Sequence, residues 1–204
     1  VAAPSANLFG RVSPTTAAHV ASEFGEGLLI VDGGACEVGI ESTIVDCTRG
    51  EPVLLRPGVL TPEQLEAACG VPVKVPAQPE ATAPRASGTL ASHYAPKAFV
   101  RLMSLSEMQQ ALQALARSVP HESAISSGVV LWTLSPALGV TACPPGVKQI
   151  SMPSDPGQCA HVLFAQLRTF DDMGFQEIWV EQPPVLPAWA GVLDRLTRAA
   201  ATDR

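Results

Sequence analysis

Three short stretches near the start of the chain place polar side chains beside glycine and proline at the edges of apolar runs. They are Pro4–Asn7, Gly39–Thr43 and Leu55–Gly58. Proline restricts the backbone and glycine frees it, so such loops can hold an unusual shape where a strand or helix ends. Their hydroxyl and amide groups are neutral donors and acceptors, and the Arg56 guanidinium is a planar cation suited to phosphate or carboxylate. The pattern predicts a site for a polar, phosphate-bearing ligand.

Each polar group in these stretches also has an ordinary structural interpretation. Ser5 and Asn7 could simply form a turn, because both side chains bond to nearby backbone groups. Arg56 could form a surface ion pair, the usual role of an arginine. Ser42 and Thr43 lie on a strand pattern, where consecutive side chains point to opposite faces, so only one of them is expected to reach a ligand. From these residues alone both interpretations stay open.

The segments around these stretches predict the elements that would position them. Ser13 followed by Pro14 indicates an N-cap and a first helical residue, and a helix N-terminus also attracts anions through its free N–H groups. A second helix is predicted after Thr61, with Gln64 completing a capping box. Apolar runs between these points predict short strands at 28–31, 40–47, 53–55 and 71–75.

A proline-rich segment without periodicity, residues 76–97, is predicted to be a linker between a first domain (1–75) and a second (98–204). After it, strand and helix patterns alternate. Strands are predicted at 98–103, within 125–134, at 148–152 and at 177–181. Helices are predicted with Ser106 as a cap, from Asp155, and over 186–200. Such alternation predicts an α/β/α layered domain with a largely parallel, Rossmann-like sheet. The domain lacks the G-x-G-x-x-G pattern, so we do not predict a dinucleotide site in it.

Composition limits the class of protein. The 204 residues are 47% hydrophobic and 16% charged, which is enough apolar material for a packed core and argues against disorder. The net charge is -6, from 13 basic and 19 acidic residues. Proteins that hold nucleic acid through its backbone usually present a basic face, so little intrinsic nucleic-acid binding is expected.

Cysteine and histidine usage indicates a reducing compartment and no structural metal. The 5 cysteines are odd in number and form no C-x-x-C pair, which suits free thiols in the cytosol, and the 4 histidines lack metal-ligand spacing. No run approaches the ~20 apolar residues of a membrane span. We therefore predict a cytoplasmic protein that does not associate with membranes. The chain begins with Val1.

Five motifs in a fixed order carry a resemblance to a known family. They are S-A-N at 5–7, S-P-T at 13–15, G-I-E-S-T-I-V-D at 39–46, L-R-P-G at 55–58 and H-Y-A-P at 93–96. In this order they resemble threonylcarbamoyl-AMP synthases of the long form, in which a YrdC-like catalytic domain precedes a linker and a smaller domain. The resemblance implies that residues 1–75 are the C-terminal part of the YrdC-like α/β domain. The upstream part, with a basic K-x-R motif and further threonine contacts, is absent from this chain.

The resemblance also implies roles for individual residues, none of them a catalytic acid, base or nucleophile. The implied ATP contacts are Ser5, Asn7, Ser13, Arg56 and Tyr94. The implied threonine contacts are Ser42 and the backbone near Ala3. His93 and Tyr94 in the linker are implied to fold over the pocket as a lid that excludes water. Glu41 is expected to be structural, and Asp194–Leu196, which also resembles a family pattern, is expected to serve helix packing and an ion pair.

The implied reaction converts L-threonine, bicarbonate and ATP into threonylcarbamoyl-AMP and pyrophosphate, with Mg²⁺ accompanying ATP. Separate threonylcarbamoyl-transfer proteins then modify an adenosine of tRNA. Nucleotidyl transfer of this kind needs positioning and charge stabilisation, and the sequence offers no nucleophile triad. Because the upstream part is absent, the isolated chain is expected to be inactive or severely impaired.

Three alternatives remain open from the sequence. The chain could be a non-catalytic nucleotide- or RNA-binding regulatory module of the same lineage, although its net charge of -6 disfavours RNA. It could belong to a different YrdC-type carbamoyl-transfer enzyme, but the H-Y-A-P motif and the α/β tail are typical of the threonylcarbamoyl form. Residues 98–204 could also serve only for oligomerisation or docking.

Overall fold

The computed structural model describes residues 3–77, 83–84, 86–90, 92–118, 128–136 and 143–201. The helices are α1 (Ala17–Phe24), α2 (Pro62–Cys69), α3 (Leu105–Ser118), α4 (Pro156–Asp172) and α5 (Ala190–Ala200). The strands are β1 (Ile44–Asp46), β2 (Val53–Arg56), β3 (Phe99–Met103), β4 (Val129–Thr133), β5 (Val147–Ser151) and β6 (Glu177–Glu181). Below, the first unit means residues 3–75, the linker 76–97 and the second unit 98–201.

The second unit is built around a four-stranded sheet in which all neighbouring strands run parallel. The strand order is β3-β6-β4-β5. Parallel neighbours need long crossovers, which α3 and α4 supply within the described residues. One face of the sheet is covered by α3, and the other by α4 and α5. The predicted α/β/α arrangement with a parallel, Rossmann-like sheet is therefore confirmed.

Alternation along the central strand β4 divides the apolar side chains of the second unit between two cores. Val130 and Trp132 face α4 and α5, whereas Leu131 faces α3. All three side chains are inaccessible to solvent. A strand that is buried on both faces reads as a continuous apolar run, and the sequence of β4 has this form.

The first unit contains only a two-stranded antiparallel sheet, β1 with β2, in which Val45 lies opposite Leu54. Three of the predicted strands differ from the structure. Residues 28–31 form no strand, 40–47 is a strand only at Ile44–Asp46, and 71–75 contributes a single bridge between Lys74 and Val53. A strand needs a hydrogen-bonded neighbour, and the described residues place none beside 28–31.

Two predicted helix caps, Ser13 and Ser106, are wrong, and two, Thr61 and Asp155, are confirmed. Helix α1 is capped by Thr16, whose Oγ1 accepts from the His19 N–H, and Ser13 lies before the helix. Helix α3 begins at Leu105 and its first turn is capped by Ser104 rather than Ser106. The capping box of Thr61 and Gln64 is present, and Asp155 caps α4. The closing helix α5 follows a 3-10 turn at Pro187–Trp189.

The first unit and the linker contribute to the core of the second unit. Val12, Ile40 and Tyr94 belong to the same buried cluster as Phe164 and Leu196 of α4 and α5. The face of the sheet that α4 and α5 cover is thus continuous with the loops of the first unit. Because Ile40 and Tyr94 are part of this shared core, it positions the motifs that contain them.

Candidate functional site

The Gly39–Thr43 and Leu55–Gly58 stretches lie directly against α4 and α5. A Cβ on Gly39, which has φ +86°, would stand 2.2 Å from the carbonyl oxygen of His161 in α4. A Cβ on Gly191 in α5 would stand 2.5 Å from the carbonyl oxygen of Gly58. Both distances are too short for any side chain, so glycine is required where the two units meet. The second unit therefore forms a wall behind both motif loops.

The Arg56 side chain is buried and is held by backbone carbonyl groups. Its Nε and Nη2 donate to the Ser42 carbonyl oxygen at 3.2 and 3.0 Å, and its Nη1 donates to the Ser87 carbonyl oxygen at 2.7 Å. Arg56 thereby connects the Gly39–Thr43 stretch with the linker. A guanidinium has five N–H groups, so the three bonds leave part of its donor capacity for a ligand.

Ser13 pairs with Glu41 instead of capping a helix. The buried Ser13 hydroxyl donates to Glu41 Oε1 at 2.6 Å, and Glu41 Oε2 accepts from Arg195 Nε at 3.1 Å. The adjacent Ser42 side chain is exposed, and the Thr43 hydroxyl donates to the carbonyl oxygen of Leu60. Glu41 is therefore fixed between two neighbours, which suits a structural carboxylate.

Tyr94 lies in the interior, between the two units. Its ring stacks on Phe164 with centroids 5.2 Å apart, and the Arg195 guanidinium lies 5.5 Å from the ring centroid. The backbone has φ +61°, and the hydroxyl reaches Gly88, where a Cβ would stand 2.0 Å away. Burial raises the pKa of the Tyr94 hydroxyl. The H-Y-A-P segment is therefore anchored through this ring.

His93 and Asn7 bring two unpaired polar atoms to the same region. His93 lies edge-on to Phe9, with ring centroids 6.2 Å apart, and burial lowers the pKa of its imidazole. Asn7 Nδ2 donates to the carbonyl oxygens of Leu8 and Arg11. Among the described residues, neither His93 Nδ1 nor Asn7 Oδ1 has a hydrogen-bond partner, although both atoms are buried.

The turn that carries Ser5 and Asn7 runs beside the H-Y-A-P segment. Arg11 and Ala95 form a parallel bridge, and the Ala95 N–H donates to the carbonyl oxygen of Gly10. Ser5 and Ala3 themselves are exposed. The structure thus brings Asn7 close to the linker segment and leaves Ala3, Ser5 and the Ser42 side chain at the surface.

One cavity borders the Leu55–Gly58 stretch, and a separate cleft lies near the start of the chain. A mostly apolar cavity of about 330 Å³ lies between β2, the linker and α5, with Pro57 and Asp194 in its lining. A charged cleft of about 440 Å³ lies beside Arg11 and Arg168. Across the ranges that the structure describes, no group of three or more His, Cys, Asp or Glu side chains is arranged to hold a metal ion. Within those ranges no helix has the length and apolarity to cross a bilayer.

Arg195 forms the ion pairs expected of the Asp194–Leu196 segment, with Glu41 and Asp194, but its bonds to both motif loops were not predicted. It is the most central group of this region: its side chain is fully buried and bonds to both motif loops. Its signal was present in the sequence, because Val192, Leu196 and Ala199 mark the buried face of α5 and Arg195 lies on that face. An arginine on an apolar helix face needs buried acceptors, and here the loops supply them.

These features define a two-part α/β protein, in which a Rossmann-like unit supports a loop-rich first unit. A family model described as the threonylcarbamoyl-AMP synthase C-terminal domain matches residues 60–201. A second family model, described as telomere recombination, matches residues 1–58. The chain belongs to the threonylcarbamoyl-AMP synthase family, which confirms the resemblance carried by the five motifs.

Individual relatives agree with this assignment. The chain is 35% identical over 202 residues to the threonylcarbamoyl-AMP synthase of Bacillus subtilis, covering 98% of this chain and 57% of that protein. It is 31% identical to the synthase of Schizosaccharomyces pombe, covering 98% of this chain and 52% of that protein. A crystal structure of Pyrococcus abyssi Sua5 complexed with L-threonine matches with a TM-score of 0.73 at 30% identity, covering 97% of this chain and 56% of that chain. The chain thus spans about half the length of these relatives.

Proposed function

We propose that this chain supplies ATP- and threonine-binding loops of a threonylcarbamoyl-AMP synthase. The observation that supports it most directly is the pair of buried, unpartnered atoms, Asn7 Oδ1 and His93 Nδ1, on two adjacent motifs. Buried polar atoms are nearly always hydrogen-bonded in folded proteins. Trp132 Nε1 and Arg168 Nε also lack partners among the described residues, but Asn7 Oδ1 and His93 Nδ1 lie on motif residues, where a bound ligand would supply the missing bond. The Pyrococcus abyssi relative was crystallised with L-threonine, which agrees with this substrate.

The proposed chemistry proceeds in two steps. The threonine amine attacks carbon dioxide derived from bicarbonate and loses a proton, which gives a carbamate. A carbamate oxygen then attacks the α-phosphorus of ATP, the bond to the β-phosphate oxygen breaks, and pyrophosphate leaves. Both steps depend on alignment and on stabilising negative charge, and neither needs a protein nucleophile.

The chain's own groups have distinct proposed roles in this reaction. Arg56 places a fixed cation near the phosphates with the donors that its backbone carbonyl partners leave free. Ser5, Asn7 and Ser13 line the nucleotide side, and Ser42 and the backbone near Ala3 the threonine side. His93 and Tyr94 close the linker over the pocket, and exclusion of water protects an intermediate that hydrolyses easily. Mg²⁺ would arrive with the nucleotide as part of the substrate.

The complete enzyme, in this proposal, also includes a segment that packs on the exposed apolar residues of the first unit. Phe9 is 85% exposed, Leu29 is 91% exposed and Val31 is 88% exposed. The matched relatives extend well beyond the part that this chain covers, 57% and 52% of their lengths, so they have residues from which such a segment would come. The product would pass to separate transfer proteins that modify tRNA. The free cysteines support activity in the cytoplasm.

The first test is calorimetric titration of ATP, with Mg²⁺ and L-threonine, into the purified chain and into Arg56→Ala and Arg56→Lys variants. Loss of charge-assisted bonds to phosphate is expected to weaken ATP binding ~10-fold or more in Arg56→Ala. Arg56→Lys should recover part of the affinity, because it keeps the charge but not the planar fork. Thermal unfolding of each variant separates weak binding from loss of structure.

Arg101→Ala is the matched control. Arg101 is an exposed arginine of β3 that pairs with Glu177, remote from the motif loops, so its removal should leave ATP affinity unchanged. Equal weakening by the two alanine variants would contradict the proposal. Binding without pyrophosphate release would favour the impaired chain or the regulatory module, and release at rates typical of complete enzymes would refute the expected impairment.

A further inference from the structure

Arg195 near the end of the chain contacts both motif loops of the first unit. Its guanidinium donates from Nε to Glu41 Oε2 at 3.1 Å, from Nη2 to the Glu41 carbonyl oxygen at 3.2 Å, and from Nη1 to the Pro57 carbonyl oxygen. Nη1 also donates to Asp194 Oδ2 at 3.1 Å. The side chain is 0% exposed. One guanidinium therefore fixes the backbone of both the Gly39–Thr43 and the Leu55–Gly58 stretches.

A second chain of contacts extends from Arg195 to Ser13. Glu41 accepts from Arg195 through one carboxylate oxygen and from the Ser13 hydroxyl through the other, at 2.6 Å. The bond to Pro57 fixes the residue that directly follows Arg56. Arg195 is thus linked to both proposed phosphate-side residues through one intermediate residue each, to Ser13 through Glu41 and to Arg56 through Pro57. Helix α5 itself contributes no predicted ligand contact.

We propose that Arg195 is a positioning residue of the synthase site, which acts through Glu41 and Pro57 to hold Ser13 and Arg56 in place. This inference rests on the proposed function. Its physical basis is that burial of the Arg195 guanidinium strengthens its bonds to Glu41. Without Glu41 the guanidinium keeps Asp194 as an ionic partner but loses its ionic connection to the Gly39–Thr43 stretch. The second unit then has a part in ligand binding without touching the ligand.

Arg168 provides a matched comparison for a merely structural role. It lies on α4, its side chain is 12% exposed, and it crosses between the units to Glu23 at 3.2 Å and to the carbonyl oxygen of Val12. It contacts neither the Gly39–Thr43 nor the Leu55–Gly58 stretch. Arg168→Met should therefore reduce stability about as much as Arg195→Met while leaving the loops intact.

The experiment measures ATP affinity, thermal unfolding and hydrogen exchange of the 39–43 backbone in the full chain. The variants are Arg195→Met, Arg195→Lys, Glu41→Gln, the Arg195→Met/Glu41→Gln double variant and Arg168→Met. We expect Arg195→Met to weaken ATP binding ~10-fold or more and to speed exchange at 39–43, with partial rescue in Arg195→Lys. The double variant should bind no worse than Arg195→Met alone, because the two groups act as one unit.

The contrary results are equally specific. Additive losses in the double variant, or the same loss of exchange protection at 39–43 in Arg168→Met, would mean that Arg195 only packs the two units together and would overturn the proposal. The control for ATP affinity is Arg101→Ala, because Arg168 bonds to Val12, the neighbour of Ser13. If the unmodified chain binds no ATP, the proposed function fails for the isolated chain. The exchange data still decide whether Arg195 positions the 39–43 loop. Faster exchange at 39–43 in Arg195→Met but not in Arg168→Met supports positioning, and equal exchange refutes it.

Discussion

In the second unit Trp132, Leu163 and Val180 are inaccessible to solvent, whereas in the first unit Leu29 and Val31 are 91% and 88% exposed. The second unit has a four-stranded sheet with helices on both faces, and the first has two strands and two short helices. Two strands seldom form a stable fold by themselves. The described part of the first unit is therefore held chiefly by contacts with the second.

The difference shows that the motif loops need not depend on a core of their own unit. Gly39 and Gly58 press against α4 and α5, and Arg195 bonds to the loops that contain them. Four substitution experiments, ordered from the largest expected effect to the smallest, test whether stability and loop order are divided in this way.

Leucine truncations in the two units give the largest contrast. Leu163→Ala removes a fully buried side chain of α4 and should lower the free energy of unfolding by ~2–5 kcal/mol. Leu29→Ala removes a side chain that water already surrounds and should change it by less than ~0.5 kcal/mol. Denaturant unfolding of both variants measures the contrast. Similar losses would show that the first unit has a core of its own.

Alanine at Gly191 tests the close contact between the units. A Cβ there meets the carbonyl oxygen of Gly58 and the Ile40 side chain, so Gly191→Ala should cost ~1–3 kcal/mol despite the better helix propensity of alanine. Gly27→Ala is the control, because its Cβ meets nothing within 4 Å. Hydrogen exchange should quicken at 39–58 in Gly191→Ala. Unchanged hydrogen exchange at 39–58 would show that the close contact at Gly191 does not order these loops.

Helix caps offer a smaller and more local test. Thr61→Ala removes the cap of α2 in the first unit, and Asp155→Ala removes the cap of α4 in the second unit. Each substitution should destabilise its helix by ~1 kcal/mol. The loss at Asp155 should lower the global unfolding midpoint, because α4 packs on the main core. The loss at Thr61 should appear as faster amide exchange within α2 alone. A lower global unfolding midpoint in Thr61→Ala would show instead that the two units unfold together in one cooperative transition.

The pH dependence of stability gives the smallest effect. Burial lowers the pKa of His93 and of His19 below the ordinary 6.5. The unfolded state then binds protons more readily than the folded state. The contribution of the two neutral histidines to the free energy of unfolding is therefore fully present above about pH 6.5 and falls as the pH drops below that value. His93→Gln and His19→Gln should each reduce the decrease in unfolding temperature between about pH 7.5 and about pH 5.5. An unchanged decrease in both would contradict the lowered pKa values.

Local patterns in the sequence predicted the parts of the fold that depend on local interactions. The cap at Thr61 was found because all its bonds close within three residues, and β6 was found because its apolar run is buried on both faces. The 28–31 segment has a strand composition but lacks a neighbour among the described residues. Ser13 has a capping pattern, yet Glu41, 28 positions later, engages its hydroxyl. Competition with distant partners cannot be deduced from local spacing.

The motifs predicted the loops of the candidate site but not what holds them. Their glycines and prolines mark turns by residue type alone, so the positions of Pro57 and Gly58 could be anticipated. The direction in which Arg195 points depends on how α5 packs, and packing is decided by both units together. The resemblance supplied the roles of Asn7 and Arg56, and the structure adds their backbone partners.

The Arg195–Glu41 bond joins residues 154 positions apart in the chain. A ribosome delivers the N-terminal residues first, at about 5–20 residues per second, so Glu41 emerges about 8–30 s before Arg195 exists. During that interval the Gly39–Thr43 loop has the Arg56 guanidinium but lacks that of Arg195. Contacts of such long sequence separation also form slowly, because a large loop must close. The Gly39–Thr43 and Leu55–Gly58 loops consequently gain the Arg195 bonds only after α5 has been synthesised.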